Sequence, residues 1–340
     1  MKNKNTYNII EDDIDRILSK VNLLPLKNKS ILVTGASGLL GIYFVSCLRR
    51  LQEEYNLNIY LWIKSEIESE FKYFFDFPCT IIKEDITDIN IFNSLPNFDI
   101  IIHSAGYGQP DKFIENKIKT IQINTLSTIE LNKKLNKNGK FLFISSSELY
   151  NGLSYKITED QIGVANTDHP RSCYIESKRC GESICHAFNT NNNVKIARLS
   201  LCYGPATKNG DTRVVNSLIE RGIKNDSIKL LDMGESIRTL CYISDVVEMM
   251  WKILLYGKDT VYNIGGIYSL SILDLAKNIG LYFNKNVDLP EVSNELLGSP
   301  KIVNISIDRY LNEFDKKEFV SIDNGLKNTI EWQKMLYKKK

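Results

Sequence analysis

Residues 30–51 read Ser30-Ile-Leu-Val-Thr34-Gly35-Ala-Ser37-Gly38-Leu39-Leu40-Gly41-Ile-Tyr-Phe-Val-Ser-Cys-Leu-Arg-Arg-Leu51. The first five residues are a short aliphatic run of strand type, and residues 42–51 carry the apolar spacing of a helix. Three glycines at intervals of three fill the turn between them. Gly35 permits a tight turn, Gly38 lets the backbone approach an anion, and Gly41 lets helix and strand pack closely. The amino end of the helix then faces that anion with unpaired N–H groups and the positive end of its dipole. Strand, glycine turn and helix in this order predict a dinucleotide site.

Outward from this stretch, short apolar runs alternate with helical patterns. Strands are expected at Ser30–Thr34, Asn58–Ile63, 79–83, Phe98–His103, 140–145 and Val194–Leu199, with helices near 38–52, 115–136 and 172–190. Such alternation means βαβ units, hence an α/β fold with a Rossmann-type doubly wound parallel sheet at 29–200. Beyond residue 200 the pattern loosens, with helical segments at 213–224, 245–256, 271–283 and 325–337 among short strands. Residues 201–340 are read as a smaller mixed α/β substrate domain, with some segments returning to the first domain. Ahead of both, residues 9–24 space Ile10, Ile14, Ile17, Leu18 and Val21 helically before Pro25. Residues 1–28 are therefore an amphipathic arm, laid on the domain or on a partner subunit.

Composition narrows the function. The 340 residues include 43 Lys and Arg against 41 Asp and Glu, a formal charge of +2. That balance gives no general attraction to nucleic acid or an anionic membrane. The amino-terminal stretch lacks the apolar core of a secretory signal and carries acids where a transit peptide avoids them, so a cytoplasmic location is expected. Seven cysteines form no CxxC pair, and only three histidines are present, so no metal site is expected.

Along the crevice the pieces of a cofactor site fall in order. Contacts are expected from Gly35, Ser37, Gly38, Leu39, Leu40 and Gly41. Asp85 and Ile86 follow the third strand, where a carboxylate can bond the adenine amino group. Ser104, Ala105 and Gly106 end the fourth, where small residues leave room, and Asn124, Tyr174 and Lys178 complete the set. The second strand ends Ile63-Lys64-Ser65 without the acid that usually reads a ribose 2′-hydroxyl. Lys64 and Ser65 suit a 2′-phosphate, or Lys64 is a solvated surface residue; NAD and NADP both stay open.

The reacting groups follow from chemistry. Tyr174-Ile-Glu-Ser-Lys178 puts a phenol and an ammonium on one helix face, a turn apart. A phenol of pKa about 10 is too weak a base at neutral pH, and a neighbouring cation favours its anion. Tyr60 and Lys64 share the spacing but sit on a strand, where four residues span about 13 Å and prevent cooperation. Upstream, Ser145-Ser146-Ser147-Glu148 ends the fifth strand beside the crevice, where a hydroxyl can hold a substrate hydroxyl as the tyrosine takes its proton.

Together Gly35, Gly38, Gly41, Asp85, Ser146, Tyr174 and Lys178 resemble the extended short-chain dehydrogenase/reductases, the nucleotide-sugar epimerase/dehydratase family, over about residues 29–335. The resemblance implies a nucleoside-diphosphate sugar as substrate, a bound nicotinamide cofactor, C4 oxidation to a 4-keto sugar, and a homodimer built on the 115–136 and 172–190 helices. SSSELY at 145–150, HPRSCYIESKRCGE at 169–182 and Arg213-Val-Val look closest to UDP-glucuronate decarboxylases. Ser146 matches their active hydroxyl, and Glu148 a glutamate they share with 4,6-dehydratases. Arg213 and Arg238 match arginines that hold the substrate diphosphate. Ser147 stands where dehydratases usually place Asp, and 4-epimerases usually lack the glutamate. Leu201 stands where relatives commonly carry Asn against the substrate. The expected function is therefore decarboxylase-like or a related dehydratase, with a 4-epimerase or an NADP-dependent keto-sugar reductase as alternatives. A purely binding protein has no need of the Ser146, Tyr174 and Lys178 set.

Overall fold

A computed structural model describes residues 4–154, 156–291 and 298–338. In chain order its first half comprises α1 (Lys4–Lys20), β1 (Ser30–Thr34), α2 (Leu39–Leu51), β2 (Asn58–Ile63), β3 (Thr80–Lys83) and β4 (Phe98–His103). Then come α3 (Pro110–Glu115), α4 (Lys117–Asn124), α5 (Leu126–Lys133), β5 (Leu135–Ser146), α6 (Ser172–Phe188) and β6 (Val194–Leu199). The second half holds β7 (Leu201–Tyr203), α7 (Val214–Lys224), β8 (Ile228–Lys229), β9 (Ile237–Tyr242), α8 (Ile243–Tyr256), β10 (Val261–Ile264) and β11 (Tyr268–Ser271). It closes with α9 (Ile272–Phe283), β12 (Val287–Asp288), β13 (Ile302–Val303), α10 (Asp308–Phe314) and α11 (Ile322–Lys338).

Seven parallel strands form the main sheet in the order β10-β6-β5-β4-β1-β2-β3. Strand order reverses between β1 and β4, and such a switch point opens a crevice at the carboxyl ends of the strands. The middle strands are apolar on both faces because helices cover both. Ile31 and Val33 of β1 pack with α1, α2 and α8, whereas Leu32 packs with Ile123, Leu131 and Cys185 on the α4–α6 side. β10, late in sequence, pairs with β6 and completes this sheet. β7, β9, β11 and β13 form a second sheet, and β8 pairs with β12.

The amino-terminal helix is part of the fold's core. Ile10, Ile14 and Ile17 are fully buried against it, each contributing about 1.5–3 kcal/mol relative to exposure. α1 touches α2, α8 and α11. Asp13 of α1 accepts hydrogen bonds from Tyr43 of α2 at 2.7 Å and from Tyr242 at the end of β9 at 2.8 Å.

The helix expected at 115–136 is three short helices. Asn116 leaves helical geometry (φ −116°, ψ 46°) while its side chain donates to the Lys112 carbonyl at 2.9 Å. Thr125 donates to the Ile121 carbonyl at 2.8 Å at the second break. Both residues offer the backbone a competing hydrogen bond, which periodicity does not register. The fifth strand runs from Leu135, earlier than its apolar stretch, because β4 pairs with it on both sides of a register shift between Phe98 and Ile100.

Candidate active site

The glycine turn lies where β1 and β4 part. Gly35 has φ +65°, and a Cβ there would stand 2.7 Å from the Ala105 amide nitrogen. At Gly41 a Cβ would come within 2.3 Å of the Gly35 carbonyl oxygen and 2.6 Å of Ala36. Gly38 caps α2, and a Cβ there meets only the Gly35 oxygen, at 3.2 Å. Two glycines thus serve close backbone packing, and the third leaves open the cradle at the helix end. On the β4 side, Ser104 Oγ donates to the Thr34 carbonyl at 2.6 Å and fixes the loop before Ala105 and Gly106. His103 lies buried beneath, between Thr34 Oγ1 at 2.8 Å and the Ile123 carbonyl at 3.1 Å. Burial pulls its pKa down to about 3, so it stays neutral.

Asn124 is buried, its Nδ2 donating to Ser177 Oγ at 2.9 Å and its Oδ1 without a partner. A buried acceptor of this kind beside the crevice is provision for a donor group. With the open cradle at Gly38, it fits a nicotinamide dinucleotide. Asp85 is engaged on both oxygens: Oδ1 accepts from Thr87 N and Oγ1 at 3.1 and 2.8 Å, and Oδ2 from Lys119 at 2.6 Å. Partial burial opposes its charge, but the Lys119 and Thr87 bonds hold the carboxyl well below its usual range. Ile86 is buried, with its carbonyl taken by Ser127 at 2.8 Å.

The reacting groups meet at the carboxyl end of β5 and the start of α6. Ser146 Oγ accepts from the Glu148 amide at 3.2 Å. The same hydroxyl faces the Tyr174 phenol and favours its ionised form. Burial nevertheless pushes Tyr174 up to about 12, with the Glu148 carboxylate adding to the rise and Arg213 opposing it. The Phe113 ring stacks on the Tyr174 ring, centroids 4.6 Å apart and planes at 13°. Lys178 donates to the Ile144 carbonyl at 2.6 Å, with its ammonium 5.8 Å from the Tyr174 ring centroid. Burial pulls it down to about 7. The sequence reading expected the cation to bring the phenol toward neutral range; in the folded chain burial works against the charged form of both groups.

Glu148 brings a partner that the sequence reading did not single out. Arg171, the residue before α6, donates from Nη1 to Glu148 Oε1 at 2.6 Å. Glu148 Oε2 and Arg171 Nε are buried without partners. The available signal was the arginine three residues before the tyrosine in HPRSCY. Arg213 caps α7 with its Nε 3.0 and 3.1 Å from the two Asp211 oxygens. Arg238 of β9 donates to the Ile237 carbonyl at 2.8 Å and Ser299 Oγ at 2.9 Å, and burial lowers its pKa. Both lie within electrostatic reach of the reacting groups, Arg213 of Tyr174 and Arg238 of Glu148. Leu201, which opens β7, is half-buried.

The model of the NAD dependent epimerase/dehydratase family matches residues 31–265. The chain belongs to this family. With it the chain is an enzyme of the nucleotide-sugar epimerase, dehydratase and decarboxylase type, in a family described as NAD dependent. Among curated relatives, UDP-glucuronic acid decarboxylase 6 of Arabidopsis thaliana is 28% identical over 276 residues, covering 78% of each chain. UDP-glucuronic acid decarboxylase 1 of Xenopus tropicalis is 27% identical over 260 residues, 74% of this chain and 59% of that one. Among solved structures, the UDP-glucuronic acid 4-epimerase of Bacillus cereus, in complex with UDP-glucuronic acid and NAD, superposes with a TM-score of 0.75 at 22% identity. It covers 91% of this chain and all of that one. The dTDP-glucose 4,6-dehydratase of Bacillus anthracis, in complex with NAD, gives 0.72 at 20% identity, over 90% and 96% of the two chains. Among the described residues no helix is long and apolar enough to cross a membrane.

Proposed function

We propose that this enzyme oxidises a nucleoside-diphosphate sugar at C4 and then decarboxylates it, with UDP-glucuronate as the first substrate to test. The observation that carries this reading is Glu148, held by Arg171 with its second oxygen unpartnered, within electrostatic reach of Tyr174, which faces the Ser146 hydroxyl. The relatives named as UDP-glucuronic acid decarboxylases support it.

Gly35, Gly38, Gly41, Asn124 and Lys178 would hold the dinucleotide, which when bound would accept the C4 hydride and, after carbon dioxide has left, return it to C4. Ser146 positions the C4 hydroxyl, and Tyr174 takes its proton. Once C4 is a ketone, a C6 carboxylate stands β to a carbonyl. The C5–C6 bond then breaks, carbon dioxide leaves, and the electron pair passes into the C4 enolate. Glu148 Oε2 holds or moves the proton that C5 must regain. Arg213 and Arg238 take the diphosphate, for which a guanidinium fork is suited.

The assembly that goes with this reading is a homodimer through α4, α5 and α6. Ile118, Ile121 and Leu126 stand exposed on the first two of these helices. Sedimentation at micromolar concentration tests it, and a monomer counts against it. The activity is tested by mass spectrometry of products from UDP-glucuronate and dTDP-glucose with NAD. Loss of the mass of carbon dioxide from UDP-glucuronate supports decarboxylation. An unchanged mass with C4 inverted, read by proton NMR coupling constants, supports the 4-epimerase instead.

A further inference from the structure

The adenosine end of the dinucleotide site is charged in a way that an unphosphorylated ribose does not use. In a doubly wound sheet the residue ending β2 meets the adenosine ribose. An acid there bonds the 2′- and 3′-hydroxyls, whereas a cation accommodates a 2′-phosphate. Here β2 ends in Ile63 and Lys64 follows. Lys64 Nζ donates to Tyr107 Oη, in the loop after β4, at 2.9 Å and stands 3.7 Å from Asp85 Oδ2. Lys119 of α4 reaches the same Asp85 oxygen at 2.6 Å. Two ammonium groups from separate elements therefore converge on one carboxylate, leaving one positive charge unbalanced.

The neighbouring acids do not supply the missing diol reader. Glu66 is paired with Lys83 on β3, and Glu68 lies 3.3 Å from Lys208. Asp85 is taken up by Thr87 and Lys119. Each of these three carboxylates already faces a lysine, so a ribose diol placed at Lys64 competes with a cation for any of them. A phosphate monoester there gains two cations and the Tyr107 hydroxyl, against the single negative charge of Asp85. Such charge-assisted bonds are roughly twice as strong as neutral ones.

The geometry points to a 2′-phosphate subsite formed by Lys64 and Lys119, so that this chain binds NADP at least as tightly as NAD. The inference concerns cofactor binding alone and stands whether or not the proposed decarboxylation is correct. Neither lysine belongs to the reacting groups, and both side chains are about half exposed, so their replacement leaves the fold intact.

Isothermal titration of the nucleotide-free protein with NAD and with NADP reads the subsite without any turnover. The wild-type protein is expected to bind NADP with a dissociation constant equal to or below that for NAD. Lys64→Asp supplies the acid that reads a diol and removes one cation. It should weaken NADP by at least about tenfold, the size expected for one charge-assisted contact, while NAD binding stays or improves. Lys119→Gln should weaken NADP selectively as well. Tighter binding of NAD than of NADP by the wild-type protein overturns the inference. So does an NAD-to-NADP ratio left unchanged by Lys64→Asp.

Discussion

Arg171 Nη1 lies 2.6 Å from Glu148 Oε1, and this contact ties the residue that leads into the Tyr174 helix to the turn that follows Ser146. The pair is mostly buried, and the second Glu148 oxygen has no partner. A carboxylate bonded on one oxygen by a guanidinium stays oriented, and the unpartnered second oxygen has its acceptor capacity unused. Glu148→Gln should therefore spare C4 oxidation and impair the later step. Reduced cofactor, read by absorbance, and a 4-keto sugar, read by mass spectrometry, should accumulate. Arg171→Gln should show the same partial reaction, and Arg171→Lys a milder form. The Arg171→Gln/Glu148→Gln double variant should be little worse than Glu148→Gln alone, because the two residues act as one unit. Additive losses would make Arg171 a separate structural support.

That contact also shows where sequence reading stops. The strands Ser30–Thr34, Asn58–Ile63, Phe98–His103 and Val194–Leu199 were legible to the residue, since a buried parallel strand is written as an apolar run. Ser146, Tyr174 and Lys178 were legible because a helix turn fixes their spacing and a strand end fixes the serine. Arg171 was not, since it meets Glu148 across 23 residues that no local period relates. Phe113, 61 positions before Tyr174, is invisible for the same reason. The arm's apolar face was plain in the sequence, but the two tyrosines that receive Asp13 come from α2 and the end of β9, so only the fold brings them together.

The stack of Phe113 on Tyr174 sets a pH dependence. Burial holds the phenol at about 12, above its ordinary value of 10.0. A step that needs the phenolate becomes faster as pH rises toward that value. Phe113→Ala opens one ring face to water, lowers the pKa, and should move the acid limb of the kcat/KM profile to lower pH by roughly one unit. Tyr174→Phe should lower turnover by about a hundredfold or more at every pH, as expected for loss of a general base. A limb unmoved in Phe113→Ala would assign it to another group.

Gly38 and Gly41 should separate cofactor binding from folding. A methyl at Gly41 collides with the Gly35 and Ala36 backbone, whereas one at Gly38 meets a single oxygen at 3.2 Å. Gly41→Ala should cost about 1–3 kcal/mol by overpacking, visible as a lower thermal midpoint without nucleotide. Gly38→Ala should melt close to wild type yet lose most of the stabilisation that added NAD confers. Equal melting behaviour of the two variants would remove the distinction.

Asp13 makes stability itself pH-dependent. Burial raises its carboxyl from 3.8 to about 6, against the hydrogen bonds from Tyr43 and Tyr242, the nearby Ser244 hydroxyl and the charge of Arg16, which lower it. Arg16 is itself shared with Asp245 at 2.8 Å, and Asn328 donates to the Tyr242 hydroxyl at 3.1 Å, so the carboxyl has incomplete compensation. Between those two values the folded chain holds a proton that the unfolded chain has released. Stability therefore falls as pH rises from about 4 to about 6 and is flat above, the reverse of a salt-bridged acid, with a total of about 3 kcal/mol. Asn at this position keeps an oxygen that can accept from both tyrosines and carries no charge to desolvate. Asp13→Asn should accordingly gain stability relative to wild type at pH 8 and gain little or none at pH 4. Urea unfolding midpoints of the two proteins at both pH values provide the check, and the difference between them cancels the titration of every other group. A constant difference across the two pH values would mean that Asp13 is ionised in the folded chain throughout this range.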